Sequence, residues 1–313
     1  MLSRRIIRVK VMQVLYANEI GKDISPVALE STLLRYIKST GNLYYIYLMY
    51  LTEICNYALT HSTRLENKMI ENEAFSTDLA NNDVLKLITQ SQGFKDYIGY
   101  NKLNSFIDKK LVKKLFLILI TKERYQNYIA NKARTHNDDI GILRYIIKKV
   151  MGPSQDLEDD IAENFVNIED DSYYVLLSLQ KKLKNFENNN ETLFLHSLLL
   201  KEDNSELIDF AKKLLAVYID NEEELISIIK PKIKNWDYDR IAKTDIVILK
   251  LAVSELKYFS NIPIKVTINE YIDLSKEYST DKSKEFVNGI LDKIMKELKD
   301  KGQIKKQGRG LIN

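Results

Sequence analysis

One cysteine, four prolines, ten glycines and a single tryptophan among 313 residues leave this chain with few ways to be anything but helical. The lone Cys55 excludes a disulfide within the chain and fits a reducing compartment. With so little proline and glycine to punctuate it, text rich in Leu, Ile, Lys, Glu and Asn reads as an all-α protein. No apolar segment follows the early arginines, so no secretory leader is expected. The longest apolar run, LFLILI at 115–120, is far too short to span a bilayer. A cytoplasmic protein without membrane contact is the corresponding expectation. His61, His136 and His196 are scattered, and none has a second histidine or a cysteine at ligand spacing. Neither phosphate-cradling glycine loop occurs. Neither metal, cofactor nor catalysis is therefore expected.

Charge is nearly balanced overall, at +3, but unevenly placed. Arg4, Arg5, Arg8, Lys10 and Lys22 face only Glu19 in the first 22 residues. The end of the chain, 299–313, reads as a basic flexible tail. Residues 152–171 hold eight acids and no base. Positive ends around a negative middle suit a polyanion contacted on one side; the alternative is two solvated termini.

The segments best defined by periodicity lie between Trp236 and Leu298. From Asp239 to Phe259 apolar residues cover nearly the whole circumference, which belongs to a helix in the middle of a bundle. Thr267 and Glu270 are spaced as a capping box for the next helix, the alternative being that the chain turns helical soon after Pro263; Ile268, Tyr271, Ile272 and Ser275 face inward. The third helix carries Val287, Ile290, Leu291, Ile294 and Leu298 on one stripe. Gly289 sits inside it, at a cost of about 1 kcal/mol relative to alanine; close helix packing is the expected reason, the alternatives being a ligand at close approach or a position that is simply suboptimal.

W-x3-R-x4-D-x2-I-L-K-L-A-x2-E-L, then I-P-x-K-V-x-I-N-E-x-I-x-L-S-K, then F-V-N-G-I-L-D-K resembles the NusB transcription-antitermination family, in its order and spacing. The resemblance covers roughly residues 205–298 plus the first twenty. It implies a NusB-like helical bundle made of 1–22 and 205–298, with 23–204 as a long helical insertion whose role is not carried over.

The opening helix, from Ser3 as N-cap to Glu19, sets three arginines against the macrodipole, as if they answered to an external anion. Arginine forks onto phosphate, and glutamine and tyrosine contact unpaired bases. R-R-x2-R-x4-Q-x-L-Y also resembles the family's first helix, which contributes to RNA binding. The candidate RNA contacts are thus Arg4, Arg5, Arg8, Gln13 and Tyr16, with Lys282, Lys284 and Phe286 at the start of the third helix. The resemblance implies that Phe286 belongs to the RNA surface. Lys282 stands where members often have an acid.

Within the insertion, Gly41-Asn42 reads as a break between two helices. Tyr44, Tyr45, Tyr47, Tyr50 and Tyr57 form either an aromatic platform or, more simply, a packed helix. Twelve bases against four acids lie between Asn101 and Val150, either a further RNA surface or the solvated side of ordinary helices. The acidic run after Gly152-Pro153 lacks the pattern of a calcium loop. The function implied is a transcription antitermination factor. It would bind boxA-type single-stranded RNA in nascent ribosomal RNA transcripts with NusE, a small-subunit ribosomal protein, and join RNA polymerase. The alternative is a helical protein-interaction module that keeps the fold without RNA binding.

Overall fold

The structure, a computed structural model, describes residues 3–21, 24–66, 76–165, 171–184, 195, 205–233 and 241–306. Most of these residues are helical, with no strand among them. The chain divides into two compact units, one of Lys38–Asn204 and one of Ser3–Ile37 with Ser205–Asn313.

Helix α1 (Arg4–Gly21) opens the second unit, and Ser3 accepts from the Ile6 N–H at 3.3 Å as its cap. Helix α2 (Pro26–Glu66) begins in the same unit and continues into the first. The break expected at Gly41-Asn42 is absent: α2 runs straight through it. An interior glycine costs only about 1 kcal/mol, and the following residues, Leu43 to Leu51, are all buried. Burial outweighs the local weakness.

Around α2 the first unit adds α3 (Asp83–Gln90), α4 (Gln92–Tyr100), α5 (Lys109–Ile120), α6 (Glu123–Ala130), α7 (His136–Ile146), α8 (Gln155–Asn164) and α9 (Asp171–Lys184). Tyr44, Tyr45, Tyr47 and Tyr50 are core residues, not a platform. Tyr45 stacks on Tyr97 with ring centres 3.7 Å apart, and the Tyr50 hydroxyl donates to Asp160 at 2.6 Å. A phenol fits a core when its polar end finds a partner. The acidic run forms α8, where Asp156 and Glu158 in the first turn suit the helix dipole.

The second unit is completed by α10 (Ser205–Asp220), α11 (Glu222–Ile229), α12 (Lys243–Tyr258), α13 (Ile264–Tyr278) and α14 (Ser283–Asp300). Helix α12 is buried without interruption from Asp245 to Leu256, and α1, α10, α11, α13 and α14 all pack on it. This is the helix whose apolar residues cover every side. Trp236 and Arg240, which open the first signature, lie outside the described residues.

Three local expectations are corrected. Thr267 does not cap α13, which starts at Ile264 after Pro263; its hydroxyl is buried and donates to Glu255 at 2.8 Å. The inward face of α13 is accordingly Thr267, Tyr271, Leu274 and Ser275, with Ile268 and Ile272 half-buried. Gly289 is exposed, and an added Cβ would meet nothing within 4 Å, so close packing does not explain it. Residues 299–306 are not loose either. Helix α14 continues to Asp300, and the Lys306 ammonium donates to the carbonyls of Glu255 and Phe259 at 3.1 and 2.8 Å.

Candidate nucleic-acid interface

The candidate residues lie on two helices, α1 and α14, both packed on α12. In α1 the residues from Ile6 to Met12 are buried all round, which leaves little of its N-terminal half for a ligand. Arg8 is only 2% exposed. Its Nε and Nη2 donate to the two carboxylate oxygens of Glu255 at 2.8 and 2.9 Å, a forked pair that fixes both planes. Glu255 also accepts from Tyr271 at 3.2 Å. Burial and the adjacent Glu255 carboxylate push the Tyr271 phenol well above its usual range. The Arg8 guanidinium lies 5.5 Å from the Phe210 ring centre. Arg8 is therefore a core residue.

Arg5 is half-buried and meets three carboxylates of α13: Glu277 at 2.7 Å, Glu270 at 3.5 Å and Asp273 at 3.7 Å. The arginines that oppose the α1 dipole thus answer, in two cases of three, to acids of the same unit. Arg4 is exposed, with its guanidinium 5.7 Å from the Phe210 ring centre. Gln13 accepts from the buried Lys10 at 3.2 Å, and Tyr16 is 37% exposed. Periodicity missed the acidic ridge Glu270, Asp273 and Glu277; their 3-4 spacing was the available signal.

At the start of α14, Lys282 and Lys284 are exposed and Phe286 is half-buried. Beneath them the Ser283 hydroxyl donates to the buried Asp245 at 2.7 Å. Burial raises the Asp245 carboxyl, against the hydrogen bonds from Ser283 and Ser279. The bond from Arg5 to Glu277 ties the first turn of α1 to the end of α13, shortly before Lys282. No group of three or more His, Cys, Asp or Glu able to hold a metal occurs among the described residues. No helix among them is long and apolar enough to cross a membrane.

The NusB family model matches residues 171–296. The transcription antitermination protein NusB of Salinibacter ruber is 42% identical over 121 residues, which are 38% of this chain and 75% of the relative. The chain belongs to the NusB family. The NusB of Chloroherpeton thalassium is 42% identical over 105 residues, 34% of this chain, and that of Clostridium botulinum 43% over 88 residues, 28% of this chain. The chain spans 50% of the Chloroherpeton protein's length and 62% of the Clostridium protein's. The solved T. maritima NusB is 31% identical, covering 39% of this chain and 87% of that one, with a TM-score of 0.30. The stretch matched by the NusB family model takes in α9 through nearly all of α14 and leaves α1 outside it.

Proposed function

We propose that this NusB family member is a non-catalytic transcription antitermination factor of the cytoplasm. It binds boxA-type single-stranded RNA in nascent ribosomal RNA transcripts and, with NusE, keeps RNA polymerase from terminating early. The observation that carries the reading is the start of α14, where exposed Lys282 and Lys284 precede a half-buried Phe286 within the matched stretch. Two ammonium groups attract phosphate, and a ring at the edge of a core offers a face for a base. Arg4 and Tyr16, both exposed, extend the proposed surface on α1. Arg5 serves it indirectly, through the acids of α13.

A second reading, a helical interaction module without RNA binding, draws support from the internal carboxylates that hold Arg5 and Arg8. Fluorescence anisotropy with a boxA-like oligonucleotide across a salt series separates the two. The RNA reading expects binding that weakens steeply with salt, and a Phe286→Ala loss of about 1–3 kcal/mol with helicity and NusE binding retained. Absence of binding even at low salt leaves the second reading standing.

A further inference from the structure

Helix α5, outside the stretch matched by the family model, presents a face that the core of its own unit does not use. Leu111, Val112, Leu115, Phe116 and Leu119 point inward. The exposed positions read Lys109 and Lys110, Lys113 and Lys114, then Leu117 and Ile118. Four ammonium groups thus occupy the first two turns, at the positive end of the macrodipole. Lys109 and Lys113, and likewise Lys110 and Lys114, stand four residues apart, where like charges repel. Asp156 relieves Lys114 at 2.6 Å; the others have no carboxylate at ion-pair distance among the described residues. Lys122 adds a fifth positive group, and all of these lysines except Lys109 line one open recess together with Leu117 and Ile118. A helix built for stability alone would place acids in those turns, as α8 does.

We propose that this face of α5 is a second, sequence-independent contact for single-stranded RNA, taking the phosphates of the transcript that flanks the specific element. The inference rests on the RNA-binding reading above. Lysine decides the class of ligand. It is depleted from the dehydrated centres of protein interfaces, whereas as a compact hydrated charge it neutralises phosphate without fixed geometry. The recess offers neither an arginine fork nor an aromatic ring, so bases are not read there. Leu117 and Ile118 give splayed bases an apolar floor.

The test compares a boxA-like element with the same element carrying an oligouridylate tail, on the full chain. The probe proteins are the natural sequence and the combined variant Lys109→Gln, Lys110→Gln, Lys113→Gln and Lys122→Gln. The tail should tighten natural-sequence binding by about tenfold at low salt and steepen the log–log salt slope by roughly 2–3, at about 0.7 per phosphate. The variant, with an unchanged circular dichroism spectrum, should lose that gain and bind the bare element as before. A tail that adds nothing, or a gain that survives in the variant, overturns the proposal. So does polyglutamate of equal charge that outcompetes oligouridylate for the face, since it would make α5 a protein-docking surface. If the bare element fails to bind at all, the earlier reading falls; oligouridylate alone, bound at low salt and lost in the variant, still supports the α5 site.

Discussion

Glu255 draws side chains of two other helices onto one buried carboxylate. Fully buried on α12, it accepts from Arg8 of α1 and from Thr267 and Tyr271 of α13, so one carboxylate fixes three helices. Removing one partner of such a pair leaves the other charge desolvated, which usually costs about 3–5 kcal/mol. Glu270 lies 3.4 Å from the Arg8 guanidinium and compensates in part. Glu255→Gln should therefore cost about 3 kcal/mol, read from the denaturant midpoint. Adding Arg8→Met should restore part of the loss, because no charge is then left alone. A cost under about 1 kcal/mol would show that the network does not hold the unit together.

At the scale of elements, the end of α12 is completed from far along the chain. The Lys306 ammonium sits on the carbonyls of the last turn, where a helix attracts a cation. Burial brings its pKa down from 10.5 to about 8. Between those values the unfolded chain carries the extra proton, so stability should rise as pH goes from about 8 to 10.5. Lys306→Gln should flatten that rise in urea titrations, and carbon-detected NMR should lose a lysine resonance titrating near 8. An unaltered pH profile in the variant would mean that Lys306 stays solvated. Helix α1 carries the complementary lesson: charges set against a dipole need an anion, and here α13 supplies most of it.

For the whole molecule, two cores make two separable stability questions. Leu251 and Ile290 belong to the second unit, and both are buried, at 0% and 4% exposure. Truncating Leu251 to alanine should cost about 2–5 kcal/mol. Hydrogen exchange should then quicken in α1 and α10 to α14 while the amides of Leu43 to Cys55 in the first unit keep their protection. Equal acceleration in both units would show that they unfold as one. The proposed RNA contacts divide in the same way, with α1 and α14 in the second unit and α5 in the first.

Much of this was legible in residue order. Scarce breakers and apolar text on every side of Asp245 to Leu256 determined an all-α bundle with α12 at its centre, because periodicity depends only on neighbours along one helix. The three C-terminal signatures likewise carried the family. Residue order also offered Arg4, Arg5 and Arg8 as equals, and only the packing separated them. Whether a guanidinium meets solvent or a carboxylate 247 residues away is a property of which helices touch. The uninterrupted α2, the inward turn of Thr267, the open space at Gly289 and the docking of Lys306 were settled the same way. For α2, Thr267 and Lys306, burial or a distant partner outweighed a local preference of about 1 kcal/mol, whereas Gly289 keeps its local cost in open space.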